Sequence, residues 1–236
     1  MKNSNKVLII TVLLLPLSLL LYNWLLARAY NAGELQNRYD LQYGKLVPRM
    51  LPAFHHIVVN DHDTSSANGR LSLCIEEAGT PDSFVLKTRK GINDLFRYDV
   101  REDTLFLSAR LKEDQVFFSS AADMLVIQAP ALHSIRCTVR ELSFRRWNQA
   151  DSLSMLVAAG EVHFSNVRFG KVDLVAAPHT QVWIDRLSHV GLLDYSLETW
   201  SSLHVARQAV DTFHAAWVAP SATIELQGMP LDTKSF

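Results

Sequence analysis

Several familiar signals are missing from this sequence, and each absence argues against a class of protein. Only two of the 236 residues are cysteines, Cys74 and Cys137, so a small fold held by many disulfides is excluded. Either one bridge or two buried thiols fits this count. No Cys-x-x-Cys or Cys/His ligand spacing occurs, which argues against a structural zinc site. The formal net charge is −1, so the basic excess of a nucleic-acid binder is absent.

Catalytic motifs are missing as well. The sequence contains no GxSxG nucleophile elbow, no HExxH zinc motif, no phosphate-binding P-loop and no dinucleotide fingerprint. We therefore predict that the chain is not an enzyme and that it carries no metal or other cofactor.

The first feature that is present is a long apolar run near the N-terminus. Val7–Ala27 contains no charged residue, and as a helix it would be about 31 Å long, close to the ~30 Å hydrocarbon core of a bilayer. Basic residues flank the run at Lys2, Lys6 and Arg28. The positive-inside rule then predicts a cytoplasmic N-terminus. Residues 1–29 are predicted to be a single-pass anchor in a bacterial inner membrane, with the rest of the chain in the periplasm.

A cleaved signal sequence is the alternative for the same segment. The tripeptide Ala27-Arg28-Ala29 has the small-x-small pattern of a cleavage site, and cleavage there would export the remainder. Residues 30–52 are polar and irregular and are interpreted as a linker or stalk.

Residues 53–121 show short alternating segments separated by turn residues, with no amphipathic helical run between them. Leu71–Ile75 and Leu105–Leu107 have apolar residues at every second position, which is the period of a half-buried strand. We predict an N-terminal β segment that packs on the region that follows.

Residues 122–228 contain a repeat. Apolar-x-apolar triplets recur at steps of 20, 20, 21 and 21 along the chain, and a second series recurs about ten positions later. The first series begins at Leu142, Val162, Val182, Leu203 and Ile224, and the second at Leu153, Val172, Leu193 and Phe213. A period near 20 predicts a short-rung β-solenoid, a β-helix or β-roll with alternate side chains inward. The remaining residues, 229–236, form a C-terminal tail.

The stretch Val126–Ile135, VIQAPALHSI, and the rows after it resemble a bacterial family. It is the head GIN domain family of auto-transporter adhesins, common in Bacteroidota, and the resemblance covers residues 53–228. Family members place Ser-Gly turns between rows, and these are depleted here, so the chain resembles a divergent member. The resemblance implies an exported, membrane-anchored β-solenoid of unknown function, with no catalytic residues to carry over.

His163, Trp183 and His204 are the candidate ligand-binding residues. They occupy the second position of the triplet in three successive rows, so all three are predicted to point outward and to stack as a stripe. Such a stripe could contact a sugar or a partner surface. The alternative is that the rings only stabilise the sheet by stacking on one another.

Three other groups of residues are not predicted to form sites. His55 and His56 lie near acidic residues, but adjacent strand residues point to opposite faces, so no metal site is predicted there. Asp173 and Asp194 share an outward position in consecutive rows, yet no base or pocket accompanies them, so no catalytic role is predicted. Trp217 shares the slot of apolar inward residues and is predicted to be core.

The function predicted from these features is that of a non-enzymatic cell-envelope protein. In this interpretation a membrane-tethered β-solenoid has a structural role or contacts an envelope protein or glycan, and it does not bind nucleic acid. A carbohydrate-active β-helix enzyme is one alternative, on fold analogy alone. A component of an envelope sensor is the second.

Overall fold

The computed structural model describes residues 14, 18–19, 21–25, 28, 44–61, 71–109, 125–206 and 208–227. The chain forms two units, Met1–Gly44 and Lys45–Phe236. The described residues of the first unit are helical, apart from Gly44. Within the described residues, no helix has the length and apolarity needed to cross a membrane. Most of the predicted anchor, residues 1–29, lies outside the described residues.

The described residues of the second unit are mostly β-structure, which confirms the β part of the prediction. Its strands belong to one large mixed sheet, and a short 3-10 helix covers Lys90–Leu95. The strands are β1 Leu46–Met50, β2 His56–Asp61, β3 Ser72–Glu77, β4 Val85–Arg89, β5 Phe96–Arg101, β6 Thr104–Ala109, β7 Leu125–Ala129, β8 Ser134–Ala176, β9 Gln181–Ile184, β10 His189–Leu197, β11 Ser202–Ala206, β12 Val210–Val218 and β13 Thr223–Gln227.

Two series of parallel strands run through the C-terminal half. In the first, β8, β9, β11 and β13 pair in that order, and Val162, Val182, Leu203 and Ile224 are successive partners. In the second, β8 pairs β10 and β10 pairs β12. Register partners are therefore separated by one period of the sequence repeat, because each row returns to lie beside the one before it.

Alternation along these strands builds the core. Val162, Phe164, Val182 and Leu203 are buried. The middle residues of the same triplets, His163, Trp183 and His204, are half-buried. The rings of Phe144 and Phe164 stack in this interior with centroids 5.3 Å apart. One face of β8, β9, β10 and β11 therefore supplies buried apolar side chains, and such burial is the main source of stability for stacked strands.

Several residues other than glycine have positive φ. Strand β8 runs for 43 residues and contains two such positions, Arg146 at 52° and Asn166 at 54°. His179 at 64° and Trp200 at 60° lie in two turns that are one repeat period apart. This left-handed backbone is unusual for a tryptophan.

The N-terminal part of the unit is hydrogen-bonded into the same sheet. Strands β2 and β3 both pair parallel to β8, with Ile57 opposite Ile135 and Leu73 opposite Leu142. Strand β1 pairs antiparallel to β4. Since β1 covers Leu46–Met50, the predicted linker, 30–52, includes a strand, and the interpretation of residues 46–50 as irregular was wrong; residues 30–43 lie outside the described residues.

The last two strands leave apolar side chains exposed. Phe213 is 38% exposed and Ile224 is 39% exposed, although their partners Leu193 and Leu203 are fully buried. Trp217 is 47% exposed, so its prediction as core was wrong. A register shift after Tyr195 places Trp217 opposite Ser196 instead of Leu197. The predicted tail, 229–236, lies outside the described residues.

Candidate functional site

The three candidate residues lie side by side on neighbouring strands. Trp183 is the register partner of both His163 and His204. Its ring is 3.8 Å from the His204 ring, between centroids, with planes 9° apart. The His163 ring is 6.5 Å away on the other side, with planes 10° apart. In-register parallel strands hold equivalent side chains about 4.8 Å apart, so the rings stack, and we call this group the ladder.

Stacking determines which part of each ring meets the surroundings. The face of Trp183 is covered by His204 on one side and flanked by His163 on the other. The ladder therefore presents ring edges, which carry the N–H and C–H groups and a positive partial charge. A flat sugar ring cannot lie on the indole face in this arrangement, but its oxygens can contact the edges.

Each histidine of the ladder is held by a carboxylate. The Nε2 atom of His163 lies 2.9 Å from Glu161 Oε2, and the Nδ1 atom of His204 lies 2.9 Å from Glu225 Oε2. Ser202 Oγ lies 3.0 Å from the other ring nitrogen of His204. Neither carboxylate was predicted from the sequence. Glu225 was predictable, because it lies one repeat period after His204, at the same position of the triplet.

Beside the ladder lies an open depression of about 560 Å³. It crosses four adjacent strands, β8, β9, β11 and β13, and the small residues Ser165 and Ala206 are part of its lining. We call it the ladder depression. Its lining consists of Glu161, His163, Phe164, Ser165, Trp183, Ile184, Asp185, Arg186, His204, Ala206 and Gln227.

Asp185 and Arg186, two charged residues of the lining, differ in their hydrogen bonding. Asp185 Oδ1 accepts hydrogen bonds from the Leu187 N–H at 2.9 Å and the Ser188 hydroxyl at 2.8 Å, and so fixes the turn. Arg186 is exposed and makes no hydrogen bond or ion pair with any described residue. Glu161, by contrast, is exposed as well but is bonded to His163.

Glu141 lies on the same sheet, one row before Glu161. Burial raises the pKa of Glu141, and the neighbouring negative charge of Glu161 raises it further, while His163 and two arginines oppose the shift. Two glutamates on consecutive rows thus make the ladder-side face acidic, and the nearby cations partly compensate them.

The acid pair predicted from the rows is present, but each member is bonded to a partner of its own. Asp173 and Asp194 are register partners on β8 and β10. Lys171 Nζ lies 2.6 Å from Asp173 Oδ1, and His214 Nδ1 lies 3.1 Å from Asp194 Oδ1. Each carboxylate therefore has its own partner, a lysine for Asp173 and a histidine for Asp194.

The N-terminal histidines come together, contrary to the argument that they point apart. His55 Nδ1 lies 2.8 Å from Asp103 Oδ1, and His56 Nε2 lies 3.9 Å from Asp103 Oδ2. The His133 ring stacks on His55 with centroids 5.0 Å apart. The hydrogen bond from His55 lowers the pKa of Asp103. Among the described residues, no group of three or more His, Cys, Asp or Glu is arranged to hold a metal ion.

Both cysteines are buried thiols and not halves of a disulfide. Burial raises the pKa of Cys137 to about 12. A thiol that stays protonated is a poor nucleophile and a poor metal ligand, so Cys137 serves as a small core residue.

Comparison with known proteins gives only distant likenesses. No protein-family model and no curated protein matches the chain. Three solved structures each match 77% of it: a putative adhesin from Bacteroides fragilis NCTC 9343 (12% identity, 97% of that chain, TM-score 0.34), a putative adhesin from Parabacteroides distasonis ATCC 8503 (11%, 97%, 0.37) and a putative lipid binding protein from the same organism (7%, 96%, 0.25). At these scores the likenesses carry no argument about function.

Proposed function

We propose that this chain is a non-enzymatic cell-envelope module that binds a glycan in the ladder depression. The observation that carries the proposal is the depression itself, an open trough across four parallel strands with aromatic ring edges along one side. Ligand sites combine an apolar or aromatic wall with a few placed polar groups, and the lining has both.

The form of the stack is part of the proposal. A β-solenoid with two strands per row accounts for the parallel registers, one repeat period apart, in both series. Membership of the head GIN domain family, as a divergent member, accounts for the same row length and for the VIQAPALHSI stretch. In a solenoid, equivalent residues of successive rows form straight columns, which is why the ladder and its trough run across the strands.

The proposed location is the outer side of a bacterial inner membrane. The uncharged run Val7–Ala27, with its basic flanks, supports a retained anchor with the N-terminus in the cytoplasm. Cleavage after Ala29 would instead release the module. Mass spectrometry of the mature N-terminus distinguishes the two.

The side chains near the candidate acids support binding over catalysis. Asp173 is bonded to Lys171 and Asp194 to His214, so both carboxylates are engaged within the protein, whereas a glycosidase places its two carboxyl groups on either side of the bond that it cleaves. Both carboxylates also lie on the β8–β10–β12 series, whereas the ladder depression is lined by the other series.

The test is glycan binding by the full-length protein. We expect measurable affinity for at least one member of a panel of neutral and acidic envelope polysaccharides, measured by isothermal titration calorimetry. Ser165→Trp should fill the trough and weaken that binding at least tenfold. Ser196→Trp is the matched control, because Ser196 lies on β10, outside the lining of the depression. This variant should bind as the parent does.

Two results would count against this function. The first is no binding to any polysaccharide in the panel, or equal binding by the parent and Ser165→Trp. The second is release of new reducing ends during incubation, which would show that the protein cleaves its ligand.

A further inference from the structure

We infer that this protein forms a homodimer through the outward face of the second strand series, in which β6, β2, β8, β10 and β12 are neighbours. The inference does not depend on the proposed function, because the ladder depression lies on the other series. The observation that carries it is a line of exposed, mostly apolar side chains that crosses this face from β6 to β12.

One outward residue from each successive strand or row lies in this line. In order, they are Phe106, Val58, Arg136, Leu156, Val175, Ser196 and Trp217; we call them the outer column. Two steps of the line fall between rows of β8, and backbone hydrogen bonds set them. The Ser154 N–H donates to the His133 carbonyl at 3.0 Å, and the Ala177 N–H donates to the Val157 carbonyl at 2.8 Å. Consecutive rows of β8 therefore lie side by side in the same register as the paired strands.

The outer column exposes large apolar side chains at positions that face away from the core. Phe106 is 42% exposed, Leu156 39%, Val175 40% and Trp217 47%. The outward positions of a sheet that faces water are ordinarily polar, and a row of exposed apolar side chains with polar residues beside it marks an interaction surface. The outer column therefore has the character of a contact surface.

The area of this face matches what a stable dimer needs. Neighbouring strands are about 4.8 Å apart and residues rise about 3.3 Å along a strand, so the outer column spans roughly 29 Å and residues 152–158 span roughly 20 Å. Covering such a face removes roughly 600 Å² from water on each copy, or roughly 1,200 Å² in a dimer. That total is at the lower end of the range for specific protein interfaces.

Charge is unevenly distributed along the face. The charged residue of the outer column is Arg136, which is exposed and lies toward the β6 end. In the line of outward residues two positions earlier, Asp173 and Asp194 lie toward the β12 end. Lys171 bonds to Asp173 and His214 bonds to Asp194. With histidine neutral, two carboxylates face one lysine there, so in these lines the β6 end is positive and the β12 end is negative.

This distribution favours one arrangement of two copies. A twofold axis parallel to the strands places the two outer columns face to face with their rows in opposite order, as an isologous interface allows. Arg136 of each copy then faces the half of the other copy that carries Asp173 and Asp194. Rows in the same order would instead set Arg136 against Arg136, and like charges across an interface oppose association.

The same charges argue against a lipid surface as the occupant. Insertion among acyl chains would remove Arg136 from water without supplying a carboxylate, which is costly. Anionic headgroups would also repel Asp173 and Asp194. A second copy supplies a counter-charge to each of these groups.

The test is the mass of the full-length protein in detergent micelles, measured by light scattering over a concentration series. We expect a monomer–dimer equilibrium. Val175→Lys adds a charge to the outer column and should raise the dimer dissociation constant at least about tenfold. Leu187→Lys is the matched control, because Leu187 is an aliphatic residue that is 65% exposed in the turn after β9, outside this face. This variant should dimerise as the parent does.

Two charge reversals test the order of the rows. Arg136→Glu and Asp194→Lys should each weaken self-association, because each makes two like-charged halves face each other. An equimolar mixture of the two variants should dimerise again, since opposite charges then meet on both sides of the axis. If the rows ran in the same order, neither reversal would weaken the homodimer, because like charges would already face each other in the parent.

Three outcomes would overturn the inference. A parent protein that stays monomeric over the whole series does not pair through this face, and the outer column is then left for another protein or for lipid. A dimer that persists unchanged in Val175→Lys is held by another surface, such as the predicted anchor. Equal loss of the dimer in Val175→Lys and Leu187→Lys would show that the outer column has no special part in it. None of these outcomes bears on glycan binding in the ladder depression.

Discussion

Gln149 is a polar residue that the core depends on. Its side chain is 6% exposed and connects two parts of the chain. The amide oxygen accepts from the Leu132 N–H at 2.9 Å, and the amide nitrogen donates to the Leu132 carbonyl at 2.7 Å. The Trp147 indole also donates to this oxygen, at 3.3 Å. Gln149 thus pairs with the Leu132 backbone as a neighbouring strand would.

Replacing this amide should be costly. Gln149→Leu keeps a similar volume but leaves the buried N–H and C=O of Leu132 without partners, and each such group costs about 1–3 kcal/mol. We expect a loss of about 2–4 kcal/mol in the free energy of unfolding, measured by denaturant titration of the full-length protein. Gln181→Leu, at an exposed position, should change it by less than about 0.5 kcal/mol; equal effects would contradict the bridging role.

The relative positions of side chains were predictable where they depend on the repeat period alone. His163, Trp183 and His204 share one triplet position, and the structure makes them register partners. The role of Gln149 and the isolation of Arg186 were not predictable, because they depend on which atoms of other rows lie within hydrogen-bond distance. Trp217 was misplaced because one extra residue in β12 shifts the register, and a one-residue shift reverses the face of a side chain.

At the scale of the strands, two glycines allow neighbouring rows to approach closely. A Cβ placed on Gly170 would lie 1.8 Å from the Ala150 carbonyl oxygen, and one on Gly191 would lie 2.7 Å from the Gly170 carbonyl oxygen. The contacting atoms are backbone, which cannot move without shifting the row. Ala150, Gly170 and Gly191 follow one another at the repeat period. At this position of each row, the backbone therefore lies too close to the backbone of the row before it to leave space for a Cβ atom.

Alanine at these positions should therefore destabilise the stack in a graded order. We expect Gly170→Ala to lose about 3 kcal/mol or more of unfolding free energy, since the overlap is with backbone, and Gly191→Ala to lose less. Gly79→Ala is the control, because its Cβ would meet nothing within 4 Å; it should be neutral or stabilising by up to about 1 kcal/mol. Melting temperatures of the three variants provide the check, and no difference between Gly170→Ala and Gly79→Ala would show that the rows can separate freely.

Strands were predictable where burial imposes a pattern and not elsewhere. The rows from Leu142 onward repeat because each must bury the same two apolar triplets. Strand β1 lacks that constraint: it pairs with one strand, β4, and its side chains are mostly exposed, so Leu46–Met50 shows no alternation and contains a proline. An edge strand tolerates proline, and for that reason the sequence resembled a linker.

At the scale of the whole molecule, the strands at the two ends of the row series differ in how many neighbouring strands they pair with. Strand β8 has β3, β2, β9 and β10 beside it. In contrast, β12 pairs with β10 alone and β13 with β11 alone among the described strands. A side chain that is fully buried in the interior, such as Leu203, has a partner at the end, Ile224, that is 39% exposed. The contribution of burial to stability therefore falls toward the C-terminal rows.

This gradient predicts local opening from one end. In a stack where each row contacts only its neighbours, an end row can detach without unfolding the rest. We expect the amides of β12 and β13 to exchange with deuterium at least about tenfold faster than those of β9 and β11, in hydrogen-exchange mass spectrometry of the full-length protein. The inward residues Val162 and Phe164 of β8 provide the slow reference. Uniform protection across the rows would mean that another segment or a second molecule covers the exposed side chains of Phe213 and Ile224.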